Sequence, residues 1–287
     1  MAVAENDLAA QLAGLDALDE AAGPPPSRAR RAWAATWPKL AAVALAVGAW
    51  QAVVWTGWKP EYALPGPGRV FPELAQLVTD SRFWRSVGIT MQRAVSGYAI
   101  AVVAGSALGL AVARVRLLRT AVGSMITGLQ TMPSIAWFPL AILLFQLSER
   151  AILFVVVLGA APSVANGLIA GVDHVPPLLL RAGHMVGARG LALYRHVVLP
   201  ASLPTYVAGL KQGWAFAWRS LMAGELLVVI ATKPSIGAGL QHARELVDAP
   251  GLISFMIVVL VIGILVDTVF GRADSAIRRR RGLIGPA

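Results

Sequence analysis

Six stretches of this chain are apolar enough, and long enough, to cross a bilayer whose hydrocarbon core takes about 20 helical residues. They are Leu40 to Gly57, Ala94 to Ala113, Ala121 to Leu147, Ala151 to Val172, Thr205 to Ala231 and Ala249 to Val266. Hydrocarbon tolerates no unpaired backbone group, so a spanning segment must be a helix or a strand of a closed barrel. None of these runs alternates like a barrel strand. The expectation is an all-α polytopic membrane protein with about six transmembrane helices. A composition of 57% hydrophobic and 14% charged residues agrees with it.

Basic residues near span ends are retained on the cytoplasmic side. Of the 25 Lys and Arg, 15 fall on one set of alternate connections, among them Arg28 to Arg31, Arg114 to Arg119, Arg181, Arg189, Arg195 and Arg272 to Arg281. Seven fall on the other set, including Lys59, Arg69, Arg85, Arg150 and Lys233, and three lie in or at the ends of spans. Both termini are therefore expected in the cytoplasm of a multi-pass protein of the inner or plasma membrane. The expected organisation is a disordered cytoplasmic tail over 1–36 and a first transmembrane helix over 37–58. An outer interfacial segment over 59–93, a membrane core over 94–272 and a basic tail over 273–287 follow. The net charge of +10 sits at helix ends, where it meets anionic lipid rather than nucleic acid.

Asp173 to Pro204 is too long and too patterned for a simple turn. Pro176 and Pro177 suit the start of a short helix, Gly187 suits the left-handed residue just past its end, and a second short helix is expected from about Leu191 to Pro200. Two readings stand: an amphipathic pair lying on the membrane surface, or a docking element for another protein.

No cysteine is present, and His174, His184, His196 and His242 lack metal-ligand spacing, so neither a metal nor any other cofactor is expected. The four lysines stand in no phosphate-cradling glycine loop, so any ATP hydrolysis belongs to another subunit. Ionisable groups inside a membrane are costly and therefore informative. Arg219 and Glu225 lie about 240° apart around the fifth span, which disfavours direct pairing. Arg219 could attract an anion in a pore and Glu225 could belong to an outer gate, or each could bond to backbone or neighbouring helices. Gln130 beside Pro133, the kink expected from Pro133 and Pro139, and Trp218 complete the candidates for a pathway.

These residues resemble the binding-protein-dependent ABC importer permeases. The family pattern of Glu-Ala-Ala, three residues, glycine and a later hydrophobic-Pro pair is matched by Arg181-Ala182-Gly183, then Gly187, then Leu199-Pro200. Arg181 stands where the family has Glu. Over residues 60 to 282 the resemblance is closest to the nitrate, sulfonate and taurine branch. It is carried by Leu64-Pro65-Gly66-Pro67, Arg93 with Gly97, TMPSIAWFPLAILLF, and Trp218, Gly224-Glu225 and Ser235-Ile236-Gly237. The resemblance implies a type I ABC importer permease fold and a homodimer. It also implies ABC ATPase subunits gripping the 173–204 loop, and an extracytoplasmic binding protein delivering a small anion, most of all an aliphatic sulfonate. Nitrate, taurine or another small solute is the alternative within the branch, and a stand-alone secondary carrier the alternative outside it.

Overall fold

The computed structural model describes residues 27–280. The acidic part of the expected tail, residues 1–26, and the last residues, 281–287, lie outside the described residues. The chain divides into two compact units, Met1–Pro60 and Glu61–Ala287.

The first unit is built on one helix, α1 (Arg28–Trp55), which begins well before the expected residue 37. Ser27 caps it, its side chain accepting from the Arg30 N–H at 3.3 Å, and the alanines that follow keep the chain helical. Trp33, Leu40, Val43, Leu45 and Trp55 are all exposed, and the stretch Thr36–Trp55 is apolar enough to face lipid.

The second unit is a helical bundle. Helix α2 (Pro67–Thr79) lies within the expected interfacial segment over 59–93. Helix α3 (Ser81–Arg114) starts about four turns before the apolar run at Ala94, because Arg82, Arg85 and Arg93 interrupt hydrophobicity without interrupting helix formation. Next come α4 (Arg116–Thr131), a 3₁₀ turn (Ser134–Trp137), α5 (Phe138–Phe145) and α6 (Glu149–Asp173). After them stand α7 (Pro177–Met185), α8 (Leu199–Leu227), α9 (Ile236–Glu245) and α10 (Ala249–Arg280).

Among the described residues, α1, α3, α6 and α10 are long and apolar enough to span a membrane. The third expected span is not a kinked helix but a broken one, with α4 and the following segment meeting at 104°. The break falls at Met132–Pro133: a residue before proline is driven to extended geometry, and Met132 has ψ 127°. The segment still crosses, since Arg119 pairs with Asp173 at one end of α6 while Phe145 packs on Phe154 near the other. The fifth expected span, now α8, is long enough at 29 residues but carries Lys211, Arg219 and Glu225. It joins the bundle through packing rather than uniform apolarity.

Close packing fixes the helix directions. A Cβ on Gly105 would overlap Val164 at 2.8 Å, and one on Gly97 would meet Val156 at 2.8 Å, so α3 and α6 run parallel. Between α6 and α8 the backbones touch at Gly167 and Gly209, where a Cβ on either would reach the other's Cα at 2.5 Å. Gly171 against Ser202 and Ile152 against Gly224 make that pair antiparallel. The main core fills the middle of these three helices with Ala101, Phe138, Val155, Val156, Trp214 and Leu221. Two ends of the bundle result. One gathers the starts of α3, α6 and α10 with the end of α8. The other gathers their opposite ends with α7 and the basic residues of three separate stretches.

Candidate functional site

At the basic end, α7 forms because Pro177 occupies the first helical position and Pro176 precedes it with ψ 132°. The helix stops in a hydrogen-bonded turn: Gly187 N–H donates to His184 O at 3.0 Å and Ala188 N–H to Gly183 O at 2.9 Å. This pairing places Gly187 in the left-handed region, at φ +83°, and satisfies carbonyls that the helix end would otherwise leave unpaired. A second left-handed glycine, Gly190 at φ +53°, re-aims the chain and was not anticipated from the sequence.

The second helix of this element is not a separate piece ending at Pro200. Leu191–Leu193 runs through a π turn, Tyr194–Val198, directly into α8. Pro200 has no N–H to continue an α ladder, and the wider turn, closed by Leu199 N–H onto Tyr194 O, carries the helix past it. Leu199 and Pro200 thus sit in the first turn of a long rod.

The two arms meet through Gly183. It is buried, and a Cβ there would lie 2.7 Å from Leu193 Cδ1 and 3.0 Å from Val197 Cγ2. Arg114 stacks its guanidinium on the Tyr194 ring at 4.7 Å and ties the element to the end of α3. Arg181 and Ala182 are exposed, as are Leu178, Met185 (87%), Val186 (84%) and Leu191. The element therefore has a closely packed seam and an outer surface that is both apolar and basic.

The opposite end holds a buried ionic clamp. Glu225, at the last turns of α8, is fully buried and takes three donors: Arg93 Nη1 at 2.9 Å, the Thr90 hydroxyl at 2.9 Å to its nearer oxygen, and Gly237 N–H at 3.1 Å. Thr90 in turn accepts from Ile236 N–H at 3.0 Å. The first turn of α9, capped by Ser235, thus aims its free N–H groups and partial positive charge at the carboxylate and its neighbour. Gly237 is required here because a Cβ would collide with Glu225 Cβ. Arg93 Nε also reaches Glu149 Oε1 at 3.2 Å, and Lys233 Nζ reaches Glu149 Oε2 at 2.7 Å.

Glu225 is therefore spent on structure, and it bonds to Arg93 on α3, not to Arg219. Arg219 is exposed, its guanidinium 5.8 Å from the Phe216 ring. Trp218 stacks on Trp214 at 6.5 Å and borders an open groove of about 550 Å³ with Leu240, Met256, Gly263 and Asp267. Gln130 accepts from Asn166 at 2.6 Å just before the break at Pro133, and Pro139 lies in the first turn of α5. The sequence candidates thus fall into four places: the basic end, the mid-bundle break, the clamp, and the part of α8 that carries Trp218 and Arg219. Thr90, Glu149 and Lys233 were missed. The readable signal was Glu225 itself, since a buried acid demands a cation, and Arg93 is the basic residue immediately before the second apolar run.

Residues 87–279 match the family described as binding-protein-dependent transport system inner membrane components, and that match contains both ends of the bundle. The chain belongs to this family. The putative aliphatic sulfonates transport permease SsuC of Escherichia coli K12 is 28% identical over 221 residues, 77% of this chain and 83% of that protein. The riboflavin transport permease RibX of Chloroflexus aurantiacus is 27% identical, covering 75% and 80%, and the taurine transport permease TauC of Escherichia coli K12 is 25% identical, covering 80% and 87%. Among solved structures, an inward-facing MetNI methionine ABC transporter chain superposes with TM-score 0.59 at 18% identity, covering 68% of this chain and 96% of that one. The fold of this family member is that of the type I ABC importer permeases, and the protein is a multi-pass component of the inner membrane. Like its relatives it is a translocation subunit rather than an enzyme.

Proposed function

We propose that this permease works as a homodimer driven by separate ABC ATPase subunits that grip the 173–204 loop. A small anion, most of all an aliphatic sulfonate, reaches it from an extracytoplasmic binding protein. The observation that carries the reading is the built form of that element: a glycine-seamed helical pair exposing Met185, Val186 and Leu191 beside Arg181. Exposed apolar surface rimmed by charge is what a partner interface requires. Placing this end in the cytoplasm follows the basic residues gathered there.

ATP binding would close the ATPase pair and displace both elements, and the different contacts of the two states would turn nucleotide energy into alternating access. SsuC and TauC, with the exposed Arg219, support the anionic substrate. The carrier alternative loses its acid, because Glu225 is saturated by Arg93, Thr90 and Gly237. The test is reconstitution in vesicles. The permease alone should move no labelled alkanesulfonate, downhill or under an ion gradient, and addition of ATPase subunits, binding protein and ATP should start uptake. Movement by the permease alone would refute the proposal.

A further inference from the structure

Beside the clamp lies a cavity of about 260 Å³, bordered by Arg85, Gln92, Arg93, Glu149, Thr232 and Lys233. We propose that it binds one small monovalent anion, a halide or a singly charged oxyanion, as a resident ligand of the clamp rather than as transported cargo.

Three observations point there. Arg93 is 5% exposed and spends Nε and Nη1 on carboxylates, but its Nη2 is buried and has no protein acceptor. A buried guanidinium N–H left unmatched is costly, and an anion is its strongest complement. The charge balance favours the same ligand: Arg85, Arg93 and Lys233 face two carboxylates, Glu149 and Glu225, leaving one positive charge uncompensated. Glu149 on the cavity wall opposes a second negative charge, which selects a monovalent ion. Third, the volume is several times the share of about 30 Å³ that a water takes in the liquid, and Gln92 and Thr232 add neutral donors to the wall.

The experiment uses the full-length chain in neutral detergent, without ATPase or binding protein, so it does not depend on transport. Thermal unfolding is followed by tryptophan fluorescence in gluconate buffer while bromide, nitrate or methanesulfonate replaces gluconate at constant ionic strength. Saturable stabilisation is expected, and Arg85→Gln, a change at an exposed residue outside the clamp, should raise the apparent Kd about tenfold while Arg85→Lys retains binding. Crystals grown with bromide should show an anomalous peak in the cavity between Arg85 and Lys233. A parallel titration with short-chain phosphatidylglycerol tells a lipid headgroup from a free ion. Stabilisation by the lipid alone, no anion dependence at constant ionic strength, or an equal response in Arg85→Gln would each overturn the proposal.

Discussion

Replacing Glu225 with Gln isolates the electrostatic part of the clamp. The side chain keeps its size, but the acceptor that held Arg93 Nη1, the Thr90 hydroxyl and Gly237 N–H becomes an amide with a single carbonyl oxygen. At least one buried donor then faces an NH₂ group, and Arg93, 5% exposed, keeps only Glu149 as counter-ion. Breaking a buried pair from one side costs about 3–5 kcal/mol, and the surviving bond to Glu149 puts this case near the lower figure. For a domain of this size about 3 kcal/mol corresponds to a fall of roughly 6–12 °C in Tm. The assay is thermal unfolding of the detergent-purified chain, with Arg219→Gln as the control because Arg219 is exposed. A Glu225→Gln variant that melts with the parent, or no lower than Arg219→Gln, would show that the carboxylate contributes no such stabilisation.

Two further substitutions address transport. Gly187→Val puts a β-branched residue at φ +83°, a backbone conformation costing about 1–3 kcal/mol, and should distort the turn locally. ATPase stimulation by the assembled transporter should drop several-fold while the permease still inserts and melts within about 2–12 °C of the parent; normal stimulation would sever the turn from coupling. Arg219→Gln should lower alkanesulfonate uptake without loss of complex assembly on size exclusion, and unchanged uptake kinetics would remove Arg219 from the pathway.

What could be read in advance was what is local. Length and apolarity located α6 and α10, and the proline start and glycine stop of α7 depend only on neighbours in sequence. Helix ends marked by charge were misplaced, since α3 continues through Arg85 and α10 through Arg272, where polarity changes but helix propensity does not. Pro133 suggested a kink and produced a break, while Pro200 suggested a stop and was absorbed by a π turn, because neighbouring packing decides between those outcomes. The clamp joins residues 132 and 135 positions apart, a separation that no window or period can expose.

The continuity of the chain from Leu191 to Leu227 bears directly on how force could cross the bundle. Had the second arm of the basic-end element stopped at Pro200, a push on it would bend a hinge before reaching the membrane. The arm is instead the first turns of α8, a rod of roughly 55 Å at 1.5 Å per residue. Its far end carries Glu225, bound to α3 through Arg93 and to α9 through Gly237. Along its length it lies on α6 at glycine and serine contacts, Gly167 on Gly209 and Gly171 on Ser202, too close to allow much lateral compression. Under the proposed mechanism a displacement imposed at Gly183 would reach α3 and α9 through α8. Under that mechanism the clamp would take up this movement at the opposite end of the bundle, where α9 and α10 border the open groove beside Trp218.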